Sequence, residues 1–194
     1  MKRLYGIYVP GLGDDKRPKE AGLSDFWKRW HNIDLQYFPV KWAEGRHFQP
    51  KLNELLKQID SLHSQHGRVS LVGTSAGASA VLNAYARRPD KIDSVVIICG
   101  KVLHPEGIGQ SYRDSNPAFI ESMDLLADSL NSLTPAQRQR ILSRIPIFDG
   151  LVPLRDMRVL GAKHSKQFTF LHAPSIFLGM TLASRPAARF IKSR

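Results

Sequence analysis

The chain has 194 residues, which is enough to bury the core of one domain and too few for two. Hydrophobic residues make up 42% and charged residues 23%, the balance of a folded globular protein, and no apolar run approaches the ~20 residues of a membrane span. The start, Met1-Lys2-Arg3-Leu4, lacks the long apolar segment and cleavage site of a signal peptide, so we expect a cytoplasmic protein.

The net charge of +11 suggests an anionic partner, which could be an acidic substrate, a membrane surface or nucleic acid. The basic residues are scattered, however, and no cluster is interleaved with aromatic residues as in a single-strand binding surface. Both observations disfavour nucleic acid and favour a solvated basic surface. The modest clusters are Lys16, Arg17 and Lys19; Arg138, Arg140 and Arg144; and Arg185, Arg189, Lys192 and Arg194.

Short β-branched runs alternate with helical patterns along the chain. This alternation predicts a three-layer α/β sandwich, with a mostly parallel sheet of about six strands and helices on both of its faces. We predict strands at 4–9, 33–40, 69–72, 94–99, 145–148 and 167–171. Helical spacing is carried by Leu52, Leu55, Leu56, Ile59 and Leu62, by Ala80, Val81, Ala84 and Tyr85, by Phe119, Met123, Leu126 and Leu130, and by the segment from Ala173.

Residues 101–144 form the main insertion in this pattern. Residues 101–115 are polar and irregular, and the sequence from Thr134 to Gln137 is a capping box that predicts a helix carrying Ile141 and Leu142. No internal repeat or linker is visible, so we expect one domain over 1–194.

The sole cysteine, Cys99, ends the apolar run of the fourth strand. One cysteine excludes an internal disulfide and disfavours a cysteine metal site, and this setting is typical of a small buried hydrophobic residue. No pattern in the chain indicates a metal or a cofactor.

The pentapeptide from Gly73 to Gly77 fits Gly-x-Ser-x-Gly and places Ser75 between a strand and a helix. That is the setting of a nucleophile elbow, in which small neighbours let the strand and helix approach closely. A Walker phosphate loop would need a following Gly-Lys-Ser/Thr, which is absent. Ser79 is the alternative hydroxyl, one turn into the helix, where packing is the simpler interpretation.

A serine nucleophile needs a base and an orienting acid, and in sheets with such an elbow they follow it as acid, then histidine. Of the seven histidines, four precede Ser75. His172 follows the last strand, at the carboxyl edge where open α/β sheets bind ligands. His104 precedes any plausible acid, and His164 lies at the other end of the sheet.

Asp149 follows the fifth strand and therefore reaches the same edge. A turn or capping role is common for such an aspartate. Asp114 lies in the polar insertion and Asp156 inside a predicted helix, so Asp149 is the better candidate acid.

An oxyanion hole would complete the site. The backbone N–H of Ala76, directly after the nucleophile, is one candidate donor, and that of Leu12 in the glycine-rich turn after the first strand is the other. A dinucleotide site is the competing interpretation of this turn. It is disfavoured because the Gly-x-Gly-x-x-Gly spacing is missing and Asp14 and Asp15 would repel a pyrophosphate.

These ordered motifs resemble the α/β-hydrolase superfamily, and the compact length is similar to small esterase-like members of the retinoblastoma-binding-protein-9 type. Members often carry glycine before the histidine, where this chain has Leu171. The resemblance implies a carboxylesterase-like serine hydrolase that cleaves an ester, thioester or small amide through an acyl-enzyme on Ser75, with the insertion as a short helical lid. Phe119 and Met123 would line an acyl pocket, although core packing would give the same spacing.

Two other functions stay open. The same fold hosts acyltransferases and catalytically silent proteins, and the basic surface could serve an interaction module for acidic partners. The partner that the resemblance implies is a small acyl compound, which the net charge allows to be anionic. The sequence does not indicate an oligomeric state.

Overall fold

A single parallel sheet runs through the molecule in the computed structural model, which describes residues 3–14, 21–45 and 47–194. Within these residues it has six strands in the order β2-β1-β3-β4-β5-β6, so β2 and β6 are its edges. All five pairings are parallel, as the alternation of strands and helices predicts. The strands are β1 (Leu4–Val9), β2 (Ile33–Tyr37), β3 (Val69–Thr74), β4 (Ile92–Ile98), β5 (Ile141–Phe148) and β6 (Lys163–Phe170).

The helices fall between these strands and in the insertion after β4. They are α1 (Ala21–His31), α2 (Phe48–His66), α3 (Gly77–Arg87), α4 (Gln110–Ser115), α5 (Pro117–Asp124), α6 (Leu126–Ser132), α7 (Pro135–Arg138), α8 (His172–Met180) and α9 (Arg185–Lys192). Among the described residues, 3₁₀ turns include Pro105–Gly107 and Leu154–Met157. No helix of the described residues combines the length and the hydropathy that crossing a bilayer requires.

Alternate residues of the strands face two separate cores. Ile7 and Val9 of β1 point into a core with α2, α3, α5 and α6, while Tyr8 between them points into a core with α1 and α9. On the second face, the indole nitrogen of Trp27 donates to the carbonyl of Met180 at 2.8 Å, which ties α1 to the end of α8. The predicted three-layer class with helices on both faces is therefore confirmed.

Three predicted elements differ from the structure. The helix predicted to contain Asp156 is only the 3₁₀ turn Leu154–Met157. The predicted capping box is present, with Thr134 and Gln137 in reciprocal hydrogen bonds, but its helix ends at Arg138. Ile141 and Leu142 are instead the first residues of β5, paired with Val95 and Val96 of β4. Strand pairing therefore outweighs the helical pattern here, and the insertion ends before Ile141.

Helix α1 was not predicted, although the signal is in the sequence. Leu23, Phe26, Trp27 and Trp30 keep the i, i+3, i+4, i+7 spacing of one helical face. Trp27 is fully buried, while Trp30 is 69% exposed. The basic cluster of Lys16, Arg17 and Lys19, which precedes this helix, lies outside the described residues.

Candidate active site

Ser75 lies in a tight turn between β3 and α3. Its backbone has φ +50°, a conformation that is uncommon for residues other than glycine and that concentrates at functional sites. The turn is held by neighbouring strand ends, because Ser75 N–H donates to the carbonyl of Ile98 at 3.1 Å and the Ser75 carbonyl accepts from Lys101 N–H at 3.3 Å. Ser75 is partly exposed at the carboxyl edge of the sheet.

The two glycines of the elbow allow this close approach. A Cβ at Gly77 would lie 2.2 Å from the carbonyl oxygen of Val9, and one at Gly73 would lie 2.7 Å from that of Gly77. Neither contact can be relieved by rotating a side chain, because both involve backbone atoms. Glycine is required at both positions for strand and helix to pack as they do.

His172 and Asp149 converge on the serine. The Ser75 hydroxyl lies 2.9 Å from Nε2 of His172, and Nδ1 of the same ring lies 2.7 Å from Oδ2 of Asp149. His172 is the first residue of α8, separated from the end of β6 by Leu171, and Asp149 directly follows β5. Parallel strands end at the same edge, which is why three residues distant in sequence meet.

The Asp149 carboxylate is held by more than the histidine. Its Oδ1 accepts the backbone N–H groups of Leu151 and Val152, each at 2.9 Å. Burial would raise the pKa of Asp149, but the hydrogen bonds from His172, Val152 and Leu151 outweigh that effect and lower it. The carboxylate therefore stays ionised and can orient the ring of His172.

Leu12 and Ala76, the candidate oxyanion donors, line the same cleft as Ser75. Within the described ranges, neither N–H donates to a protein acceptor. The turn carrying Leu12 is held by buried hydrogen bonds, because the carboxylate of Asp14 accepts the backbone N–H of Lys41 at 2.7 Å and that of Trp42 at 3.3 Å. Asp14 therefore holds the loop and does not face a ligand, and Asp15 lies outside the described residues.

Two clefts meet at Ser75, with volumes of about 600 and 1150 Å³ measured to their open mouths. The smaller runs under the insertion and is lined by Ile108, Tyr112, Phe119 and Val152, among others. The larger is lined by His172, Ile176 and Phe177. Tyr112 and Leu151 border both clefts.

The two predicted pocket residues have different positions. Phe119 lines the smaller cleft. Met123 does not line that cleft, although both side chains belong to the same buried core, where Phe119 is 4% and Met123 3% exposed. One turn of α5 separates the two side chains, so helical spacing alone could not distinguish wall from core.

The alternative candidates lie away from Ser75 or serve packing. Ser79 is buried and its hydroxyl lies 2.7 Å from that of Ser122. His164 lies at the start of β6, at the opposite end from the elbow, with Nε2 3.1 Å from the carbonyl of Val159. Asp114 accepts from Gln110 on the surface of α4.

A buried ion pair near the site was not predicted. The Lys101 ammonium lies 2.5 Å from Oδ2 of Asp156, and Nδ1 of His104 lies 2.5 Å from Oδ1. Burial would raise the pKa of Asp156, but hydrogen bonds from Lys101 and His104 lower it. Through these bonds the pair fastens the base of the insertion to the segment after Asp149. Lys101 also lines the smaller cleft. Only the spatial meeting of two loops reveals the pair.

Cys99 is fully buried after β4, and burial and the charge of Asp149 raise its pKa to about 12. It is therefore an inert thiol, as its sequence setting predicts. In the part of the chain that the structure describes, no group of three or more His, Cys, Asp or Glu side chains is placed to hold a metal ion.

No family model and no curated protein sequence matches the chain. Its structure is similar to one of the two metagenome-derived lipolytic enzymes LipS and LipT, with TM-score 0.71, 12% identity and coverage of 99% of this chain and 95% of the other. It is also similar to a carboxylesterase of Nitrososphaera gargenis (TM-score 0.69, 10% identity, coverage 100% and 93%). A monoacylglycerol lipase of Paleococcus ferrophilus gives TM-score 0.56, 15% identity and coverage of 97% and 94%.

These likenesses extend over nearly the whole of each chain at identities of 10–15%, which shows a common fold. The six-stranded parallel sheet covered by helices is the α/β-hydrolase fold. The more specific resemblance, to the retinoblastoma-binding-protein-9 type, stays a prediction.

Proposed function

We propose that the chain is a serine hydrolase that cleaves a carboxylic ester, thioester or small amide through an acyl-enzyme on Ser75. The observation that carries this proposal is the continuous hydrogen-bonded chain from the Ser75 hydroxyl through His172 to Asp149. A serine hydroxyl is a weak nucleophile alone, and this arrangement supplies the base and the orienting anion that it needs.

In the proposed reaction, Nε2 of His172 accepts the hydroxyl proton while Ser75 Oγ attacks the substrate carbonyl carbon. The carbonyl oxygen becomes an oxyanion, which the N–H groups of Leu12 and Ala76 stabilise, with each such donor worth ~3 kcal/mol in the transition state. His172 then returns the proton to the departing alcohol, thiol or amine. Water deprotonated by His172 releases the acid and restores Ser75.

The two clefts suggest where each part of the substrate lies. The leaving group must receive its proton from His172, and His172 borders only the larger of the two clefts. We therefore assign the larger cleft to the leaving group and the smaller one to the acyl group. The apolar wall of the smaller cleft, including Ile108, Phe119 and Val152, favours a hydrocarbon acyl chain.

The insertion after β4 acts as the lid in this proposal. Its residues Ile108, Gly109, Tyr112 and Phe119 form one wall of the acyl cleft. Without that wall the acyl chain would stay in contact with water. The names of the similar structures, which include lipolytic enzymes and a carboxylesterase, support an ester as the substrate class.

Labelling with a fluorophosphonate tests the nucleophile without knowledge of the natural substrate. We expect wild-type protein to be labelled and Ser75→Ala to be unlabelled, while Ser79→Ala, a second serine of the same segment, is still labelled. Failure of folded wild-type protein to react would refute the proposal.

The base is tested by changing two histidines separately. His172→Ala should abolish hydrolysis of p-nitrophenyl esters, and His164→Ala should leave it within a few-fold of wild type. Equal activity in both variants would refute the assignment of His172. A chain-length series of these esters would then measure the depth of the acyl cleft.

A further inference from the structure

Large apolar side chains are exposed at the carboxyl edge of the sheet, beside the mouth of the active-site cleft. We define this carboxyl-edge rim as Phe148, Leu151, Phe168, Phe170, Leu171 and Phe177. Phe168 is 85% exposed and Phe170 61% exposed. Soluble proteins rarely expose large apolar groups side by side without a partner.

Three members of the rim are neighbours on two paired strands, and two others border the cleft. Phe148 and Phe170 are paired across β5 and β6, and Phe168 lies two residues before Phe170 on the same face of β6. The Leu171 N–H donates to the carbonyl of Phe148 at 3.1 Å. Leu151 and Phe177 both line the larger cleft beside Ser75. A surface that contacts this rim would therefore lie at the entrance of the cleft.

The charges exposed around the rim are positive. Residues 140–194 contain two acidic side chains, Asp149 and Asp156, and both are buried in the site. Lys166 is exposed on the same face of β6 as Phe168, and Arg155 is exposed beside Asp156 in the segment that follows Asp149.

We propose that the carboxyl-edge rim and its flanking lysine and arginine side chains dock the protein on an anionic lipid surface. Exposed aromatic and leucine side chains enter the headgroup boundary, and cations add attraction to anionic lipids. The proposed hydrolysis does not account for the net charge of +11, whereas attraction to anionic lipids does. Docking in this way would turn the cleft toward the membrane.

The charges also argue against a second copy of the chain as the occupant. β6 is an edge strand, and Lys166 lies near the middle of its range, Lys163–Phe170. An antiparallel two-fold pairing of β6 with itself would bring two Lys166 side chains together. Lysine on an edge strand is a device that prevents such pairing.

Co-sedimentation with vesicles tests the proposal independently of catalysis. Wild-type protein and Ser75→Ala should bind vesicles of equimolar phosphatidylcholine and phosphatidylglycerol, and bind pure phosphatidylcholine about tenfold more weakly. The double variant Phe168→Ser/Phe170→Ser should lose about tenfold in affinity for the mixed vesicles. Lys166→Glu should weaken binding less, and added NaCl should weaken it in wild type.

The matched control is Trp30→Ser, which removes an exposed aromatic residue from α1, the helix beside the opposite edge strand β2. It should bind as wild type does, and circular dichroism melts should show that all variants are folded. The proposal would be overturned if Trp30→Ser lost as much affinity for the mixed vesicles as the double variant does, or if wild-type protein bound both vesicle types equally. It would also be overturned by a dimer in light scattering that the double variant abolishes, or by binding to duplex DNA as tight as to vesicles and unchanged in the double variant.

Discussion

Asp149→Asn separates the role of the carboxylate charge from its role in the turn. The Oδ1 atom of Asp149 accepts two backbone N–H groups, and the amide oxygen of asparagine can keep both bonds. The other oxygen, 2.7 Å from Nδ1 of His172, becomes an NH₂ group. That group donates to Nδ1, so the ring proton moves to Nε2, which can no longer accept from Ser75.

We expect kcat for a p-nitrophenyl ester to fall by ~10⁴, as for the equivalent change in other serine triads, or ~5.5 kcal/mol of transition-state stabilisation. The free energy of unfolding should change by only about 1 kcal/mol, since the turn is kept. Stopped assays of initial rate and urea unfolding measure the two quantities on the same protein.

Asp156→Asn is the matched control, because Asp156 is a second buried, histidine-paired aspartate in the same segment. It leaves the Lys101 ammonium buried without its counter-charge, so it should cost about 3 kcal/mol of stability while kcat/KM stays within about tenfold of wild type. If Asp149→Asn retained kcat within a few-fold, or if both variants lost activity equally, the reasoning about the His172 tautomer would be wrong.

Three further changes test the fold, two of them at the site and one at the far end of α3. Gly77→Ala should lower the free energy of unfolding by at least about 3 kcal/mol, because the new Cβ would clash with the backbone of β1. Gly109→Ala has open space at its Cβ and should change the unfolding midpoint little. Similar midpoints for the two variants would contradict this. The hydrogen-bonded ion pair with Arg88 lowers the pKa of Asp60 to about 2. Both side chains are about one-third exposed, so solvent screens the pair, and Asp60→Asn should lower the free energy of unfolding by about 1 kcal/mol at pH 7. Because this contribution exists above the unfolded pKa near 4 and disappears as pH falls through about 2, stability curves of the two proteins that stay parallel down to pH 2 would refute it. Leu171→Gly should raise the melting temperature by about 2–4 °C by removing strain at φ +67°, and a lower melting temperature would show that the leucine side chain contributes more than the strain costs.

The sequence predicted the fold class because its signals are local and repeated. The central strands β3 and β4 are short runs rich in valine and isoleucine, and the long helix α2 keeps one apolar face over Leu52, Leu55, Leu56, Ile59 and Leu62, all of them buried. The errors arose where two signals overlapped, as at Ile141 and Leu142, where an apolar pair after a capping box fits a helix or a strand equally well. Only the pairing with β4 decides between them.

For the site, chain order and strand ends were enough to choose Ser75, Asp149 and His172, which the structure places in hydrogen-bonding distance. Their proposed roles await the experiments above. The sequence could not indicate the Lys101–Asp156 pair or the position of Met123, because each depends on how the insertion packs against the sheet. The sequence did not indicate the exposed carboxyl-edge rim either, because Phe168 and Phe170 fit the pattern of ordinary strand residues.

Strained backbone at the site explains why a sequence cannot supply its geometry. Ser75, Cys99 and Leu171 directly follow β3, β4 and β6, and all three have positive φ without being glycine. Such conformations persist only when the surroundings fix them. The fixing bonds run between strand ends: Ser75 N–H to Ile98, and Leu171 N–H to Phe148, each at 3.1 Å. The backbone conformations of Ser75 and Leu171, which orient the nucleophile and the histidine, are therefore imposed by the assembled sheet and not by local preference. The alignment of the triad should be lost as soon as β5 and β6 separate, before the rest of the sheet unfolds.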